Sequence, residues 1–467
     1  MNKDKLKILI VSCYFPPLNV IAALRAYFWA KHWSKMGHEI CVVTIKNDVL
    51  DSPLNLPIEA DVQSCVRVEK VPVLHKIFDI YTPKHNRYVD KSVSGRKHPY
   101  TIYTPSQNGF VNTTTADKPQ NKPTAFGKLT KKIMKAFFDY SGIDPYSPHL
   151  WAIPAVKRSL EIYKQWPFDI VVSTFGPPAA HITASILKRK LDVFWVADYR
   201  DLWYGNYYYS GKWPFSFFEK CIENIVVKKA DFFTTVSSLF SEQLIARFGN
   251  KVITIENGFD TESLDKIEAT RVFPDDGKVR LVYVGQLYSR KQDPSQLFEA
   301  VGVLKKRGLS VAQRIEILFY GHPDAFIINM IAKYNLEAIV KMPGFIPREK
   351  TLQVQRDADM LIFIDWQDRD DTGMIPGKLF EYMHSGTPIL NISLAPGSLP
   401  CKLIEAAGVG ITVNNAPEPI ADIIEDVLKG KNVHYNPAKD VLARYTRKYL
   451  SEKMLEEIIE RFNKRQV

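Results

Sequence analysis

Short apolar runs recur along this chain, separated by amphipathic stretches long enough for helices. Lys7-Ile8-Leu9-Ile10-Val11-Ser12 lacks polar alternation, the mark of a strand covered on both faces. A helical pattern over 22–36 follows, Gly37-His38 turns the chain, and 39–44 repeats the strand pattern. Further strands are expected at 169–173, 193–198 and 232–236. Asn257-Gly258 is a turn signal, and a polar stretch runs to Asp276-Gly277. The alternation then restarts, with strands at 280–285, 315–320, 340–343 and 359–364 and helices near 294–307, 323–335 and 348–357. Strand and helix in strict alternation, twice over, predict two doubly wound α/β domains, 1–262 and 270–440. A charged amphipathic helix is expected over 442–462, within a C-terminal segment 441–467 that crosses back to the first domain. Between 84 and 125 the periodicity gives way to Asn, Thr, Ser, Pro, Lys and Gln, which reads as an insertion.

Composition changes this picture little. At 467 residues and 46% apolar, the chain can hold two cores, and no apolar run approaches the ~18 residues of a membrane span. Five cysteines, scattered and never in a CxxC pair, point away from a disulfide framework or a zinc site and favour the cytoplasm. Charge is more telling. Between Lys84 and Lys135 stand eleven Lys/Arg against two Asp, which is most of the net +11. An anionic surface is the expected partner. No nucleic-acid module accompanies the basicity, so the expectation is a membrane surface and not nucleic acid. Phe126, Leu129, Ile133 and Phe137 lie at helical spacing among lysines, which suits either a membrane-surface helix or a helix docked on its own domain. The rings from Trp203 to Phe218 could line an acceptor groove or touch lipid, with most of them expected in the core.

The candidate chemistry begins at Asp371-Thr372-Gly373-Met374-Ile375-Pro376-Gly377-Lys378-Leu379-Phe380-Glu381. A loop with two glycines that opens a helix presents backbone N–H groups and a positive dipole end to phosphate or sugar oxygens. Glu381 falls on the same side of that helix as Lys378 and could accept two hydrogen bonds from a ribose diol. Arg290 and Lys291 lie just past a strand's carboxyl end, where open α/β sheets bind ligands. In the first half, Asp198-Tyr199-Arg200-Asp201 closes a strand. Asp198 or Asp201 could orient or deprotonate an acceptor hydroxyl with Arg200 on a phosphate, or the group could be an internal Asp–Arg bridge. His181, in the first turn of a helix, could serve as acid or base, or as a packing or capping group. No compact Asp-x-Asp motif is placed for a metal.

Several of these segments occur together in a known order. Val284-Gly285 with Lys291, Gly344-Phe345-Ile346-Pro347, Lys378…Glu381-Tyr382 and Gly386-Thr387-Pro388 resemble the donor half of retaining glycosyltransferases of family 4, which have the GT-B fold. Tyr14-Phe15-Pro16-Pro17, Arg25, Gly176-Pro177-Pro178…His181 and Trp195 to Trp203 are similar to bacterial members that build envelope polysaccharides. The resemblance implies two Rossmann-like domains facing across a cleft. It implies Lys291 on the donor diphosphate, Glu381 on the ribose, and the 373–377 amides (Gly373, Met374, Ile375, Gly377) with Gly285 and Lys378 around the donor. Two positions depart from the pattern. Gln286 stands where an Arg is common, with Arg290 as a substitute charge, and Gly373 stands where a sugar-binding Glu is common.

The expectation is therefore a glycosyltransferase that moves a sugar from a nucleotide-sugar to a lipid-linked glycan acceptor with retention. It needs no metal and no cofactor beyond the nucleotide-sugar co-substrate, and works at the inner face of the plasma membrane. A nucleotide-sugar 2-epimerase of the same fold and a catalytically silent partner subunit are the alternatives.

Overall fold

The computed structural model describes residues 5–18, 20–46, 56–73, 149–206, 211–263, 267–287, 291–321, 324–366, 375–431, 433 and 435–466. The expected 84–125 insertion and the basic helix at 126–138 lie outside them.

Among the described residues, seven strands form the first sheet: β1 Lys7–Val11, β2 Glu39–Ile45, β3 Arg67–Val71, β4 Ile170–Thr174, β5 Phe194–Tyr199, β6 Phe232–Thr235 and β7 Val252–Thr254. Their order is β3-β2-β1-β4-β5-β6-β7, and every pairing is parallel. Six more form the second: β8 Val279–Val284, β9 Ile315–Tyr320, β10 Val340–Gly344, β11 Met360–Ile364, β12 Ile389–Ser393 and β13 Gly410–Asn414. They lie in the order β10-β9-β8-β11-β12-β13, again all parallel. Both are doubly wound sheets whose strand order reverses beside the first strand, and ligands in such sheets bind outside the carboxyl ends at that reversal. The central strands β1, β4, β5 and β11 are buried almost throughout because helices cover both faces.

Local signals set the helix ends. In the helix Leu399–Ala407, Ser398 accepts from Cys401 N–H at the N-cap, Pro400 occupies the first turn, and Gly408 closes the end at φ +63°. Helix Ala179–Leu191 ends on Asp192 at φ +50°, a conformation Asp tolerates better than most residues.

The chain divides into two compact units, Met1–Ile255 with Ser451–Val467, and Glu256–Leu450. The last helix, Arg447–Gln466, packs on the first unit through its C-terminal part. Trp33 Nε1–H donates to the Ser451 carbonyl at 2.7 Å, Phe462 sits edge-on to Phe194, and the Arg461 guanidinium lies 4.3 Å above the Phe232 ring. The single helix expected over 442–462 is in fact two, Lys439–Ala443 and Arg447–Gln466. The break arises because Thr446 pairs with Phe259: Phe259 N–H donates to Tyr445 O (3.0 Å) and Arg447 N–H donates to Phe259 O (2.8 Å). Gly258 is required beside this pairing, since a side chain there would strike the Tyr445 carbonyl.

Candidate active site

In the second unit the strand reversal falls between β8 and β11. β8 ends at Val284, whose N–H donates to the Tyr382 hydroxyl at 2.7 Å, which fixes helix Gly377–His384 against the strand. The chain then turns at Gly285, φ +108°, a conformation that favours glycine. Gly321 packs so close that a Cβ there would lie 2.6 Å from the Gly285 carbonyl oxygen. The first turn of helix Gly377–His384 has no side-chain cap, since Pro376 precedes it. Lys378 Nζ donates to the Tyr283 hydroxyl and lies 4.1 Å from the centroid of its ring. Desolvation pulls the Lys378 ammonium down to about 7. A Cβ on Gly285 would come within 3.8 Å of Lys378 Nζ, so the strand-end turn and the helix cation share one small space.

Glu381 does not pair with Lys378, despite sharing its side of the helix. Its carboxylate accepts from Arg348 Nη1 at 2.8 Å, and the two side chains keep 18% and 24% of their exposure. Glu381, and after it Asp260, holds the Arg348 guanidinium above its ordinary value. Lys291 Nζ stands 4.6 Å from the Trp366 ring centroid, just past β11. Ile375 and Gly377 are half-buried at the mouth of the helix. Of the other expected donor residues, Arg290, Gly373 and Met374 lie outside the described residues. Sequence reasoning missed Arg348, Tyr283 and Trp366. Arg348 follows Gly344-Phe345-Ile346-Pro347 at the start of a helix, and that position is the one signal that could have found it.

In the first unit, Asp198 sits on β5 with Thr174 of β4 and Thr234 of β6 as its register partners on either side. Both hydroxyls therefore reach the carboxylate, at 2.8 Å and 2.7 Å. Arg25 completes the set with Nη2–H on Oδ1 at 2.7 Å and Nε–H within 3.2 Å of both oxygens. Asp198 has no exposure, and Arg25 has 3%. The arginine that pairs with Asp198 is Arg25 and not the nearby Arg200, which instead bridges Asp201. Asp198 is thus saturated and shielded in this structure.

His181 is equally shut away. Its Nδ1 is 2.8 Å from Ser173 Oγ, which also accepts from Trp195 Nε1–H. The direction of this bond follows the tautomer of the ring, since the serine hydroxyl can accept twice, and His181 Nε2 has no hydrogen-bond partner among the described residues. Burial pushes the imidazole down to about 3, against the opposing pull of Asp198. A fully buried neutral histidine packed between Trp195 and Tyr199 offers no proton to a substrate in this arrangement.

Arg200 and Asp201 lie differently. Arg200 Nε–H donates to Asp201 Oδ2 at 3.1 Å and Nη1–H to the Ala22 carbonyl at 3.2 Å. Their side chains keep 10% and 20% exposure. Gly176, at φ +108°, gives the guanidinium its room, since a Cβ there would collide with it. The first turn of helix Ile21–Lys35 and the loops after β4 and β5 thus converge on Arg200 near the first sheet's reversal point.

No group of three or more His, Cys, Asp or Glu side chains is arranged to hold a metal among the described residues. No helix among them is long and apolar enough to cross a membrane.

Residues 91–263 match the model of Glycosyltransferase Family 4, and residues 266–449 match that of Glycosyl transferases group 1. The chain belongs to glycosyltransferase family 4. Proteins assigned to colanic acid biosynthesis as glycosyltransferase WcaL are 35% identical over 114 residues in Salmonella typhimurium and 36% identical over 110 residues in Escherichia coli. Those stretches are 24% and 23% of this chain, and they span about a quarter of each relative, 27% and 26%. Among solved structures, sucrose-phosphate synthase from Thermosynechococcus elongatus is similar with a TM-score of 0.59 at 14% identity, over 98% of this chain and 99% of that one. The N-terminal domain of Candida albicans trehalose-6-phosphate phosphatase gives 0.55 at 12% identity, over 97% of each chain. At those identities the likeness establishes the fold: two parallel α/β units of the GT-B type. For a family 4 member, the half with Lys378 and Glu381 is the group 1 half, and the half with Asp198 and Arg200 is the family 4 half proper.

Proposed function

We propose that this protein is a glycosyltransferase that takes a sugar from a nucleotide-sugar and places it on a lipid-linked glycan acceptor, with retention at the anomeric carbon. The observation that carries the reading is the grouping of Gly285, Lys378 and Glu381 beside the carboxyl end of β8. A cation and an uncapped helix N-terminus stand there for a diphosphate, with a half-exposed carboxylate one turn away for the ribose. One C–O bond to the diphosphate breaks at the anomeric carbon, one forms to the acceptor oxygen, and the acceptor's hydroxyl proton leaves with the departing diphosphate. The barrier lies in the negative charge that develops on the departing diphosphate, and fixed cations plus backbone N–H groups stabilise such charge. Lys378 and Lys291 supply that stabilisation, with Arg290 next to Lys291 in the chain, and neither a metal nor a further cofactor is required. On the acceptor side, Arg200 orients phosphate or sugar oxygens. Asp201, the most accessible of the expected acidic groups, steers the acceptor hydroxyl. Asp198 holds the strand ends in place through Arg25. The WcaL relatives, assigned to colanic acid biosynthesis, support envelope polysaccharide as the product class.

The test is slow donor hydrolysis by purified protein across UDP-, GDP- and dTDP-sugars. One nucleotide class should yield free monosaccharide. Interconversion of sugars without release would instead mark an epimerase, and no reaction with any donor would mark a silent subunit.

A further inference from the structure

Helix Phe215–Val227 in the first unit is built inside out. Its inward stripe, at i, i+4 and i+8, is Glu219, Glu223 and Val227, of which Glu223 and Val227 are buried and Glu219 is half-buried. Its outward side carries Phe217 (56% exposed), Phe218 (55%), Ile222 (50%) and Ile225 (64%), and Trp213 just before it is 76% exposed. A surface helix in water shows the reverse arrangement, apolar side in and charges out. Inside, Glu223 Oε2 accepts from Arg247 Nη1 at 2.6 Å and from Tyr204 N–H at 3.3 Å, while Glu223 Oε1 and Glu219 Oε2 are buried without a hydrogen-bond partner among the described residues. Desolvation, with the Glu223 charge behind it, raises the Glu219 carboxyl to about 8. Outside, the charge has one sign. Lys212, Lys220, Lys228 and Lys229 are exposed, and Arg189 reaches the Ile225 carbonyl at 3.2 Å. The only acids between 211 and 230 are the two turned inward.

We propose that the outward face of Trp213 to Lys229 is a membrane-docking surface for anionic phospholipid. Aromatic and branched side chains enter the headgroup–acyl boundary, and the lysines around them meet lipid phosphates. The charge decides the occupant, because four exposed lysines with no exposed carboxylate between 211 and 230 complement an acidic bilayer and oppose a second copy of the same segment. The assignment deepens the lipid-linked acceptor reading and rests on it for its purpose only. It places the contact on helix Phe215–Val227 of the first unit.

Cosedimentation of the whole chain with vesicles tests it. The parent protein should pellet with phosphatidylglycerol–phosphatidylcholine vesicles and far less with phosphatidylcholine alone. The variant Phe217→Ser/Phe218→Ser/Ile222→Ser should bind about a hundredfold more weakly while keeping its thermal midpoint, since it removes only exposed groups. The variant Lys212→Gln/Lys220→Gln/Lys228→Gln/Lys229→Gln should lose about tenfold or more on anionic vesicles alone. Equal pelleting by the serine variant overturns the proposal, as does a parent that ignores vesicles. A parent dimer that the serine substitutions dissolve would make the face a self-association surface and overturns it too. Donor hydrolysis, read on the same preparations without vesicles, reports separately on the glycosyltransferase reading.

Discussion

Asp198 and Glu381 are carboxylates of opposite circumstance in two sheets of the same winding. Asp198 ends a central strand of the first sheet, has no exposure, and is saturated by one arginine and two threonines. Glu381 stands on the helix after β11, keeps 18% of its exposure, and is held through one contact to Arg348. A carboxylate whose every lone pair is filled can only hold structure together, because releasing it to a substrate would strand a buried arginine. One held by a single exchangeable partner can trade that partner for a sugar hydroxyl. Position in a doubly wound fold therefore nominates a residue, and satisfaction of its hydrogen bonds determines which role it can fill.

The largest effect follows from breaking the saturated member. Asp198→Ala should lower stability by about 3–5 kcal/mol, because Arg25 would remain buried without its counter-charge. Urea unfolding monitored by circular dichroism gives the number. The double variant Arg25→Met/Asp198→Ala should recover part of the loss. A single variant as stable as the parent would mean the pair is not buried as described.

Glu381→Ala should do the opposite. Turnover with the accepted donor should fall about 10²-fold or more, while the melting temperature moves by no more than about 2 °C. Lys291→Ala should behave alike. Near-normal rates in both would remove the donor site from this helix.

Lys378 sharpens the comparison through pH. Its ammonium lies near 7 in the folded protein and near 10.5 when unfolded, so the folded state binds fewer protons across that window. Its contribution to stability is full above 10.5 and is lost as pH falls through 7. A bound diphosphate favours the protonated form, so nucleoside diphosphate affinity should weaken by up to about tenfold per pH unit above 7. Calorimetry in buffers of different ionisation heat should show uptake of up to about one proton on binding at pH 8. Lys378→Met should show none, and an unchanged uptake in that variant would place the titrating group elsewhere.

How far the sequence foretold this divides along the same line. The buried strands β1, β4, β5, β8, β9 and β11 announce themselves as predominantly apolar runs. β7 is three residues long and β13 is mostly half-buried, so neither leaves a periodic trace. Asp198 is conspicuous at its strand end, but its role depends on Arg25, 173 residues away, and on register with Thr174 and Thr234. The pairing of Glu381 with Arg348 instead of Lys378 is likewise a tertiary fact. Helix Phe215–Val227 shows the limit most sharply. Its apolar residues read as core by composition, and only the packing of Glu219 and Glu223 reveals that they face out.

The smallest effect marks the solvated end of the comparison. Arg465 Nη2–H donates to Asp192 Oδ1 at 2.6 Å near the end of the last helix, and the Asp192 side chain is 84% exposed. The arginine holds that carboxyl below its ordinary value, yet water and salt screen the pair, so Arg465→Ala should shift the melting temperature by under about 2 °C. Phe462, one turn earlier and 7% exposed against Phe194, is the control: Phe462→Ala should cost about 3 kcal/mol or more. If the arginine variant instead melts as early as the phenylalanine variant, exposure is not what separates structural from exchangeable ion pairs here. The contrast between Asp198 and Glu381 would then need another cause.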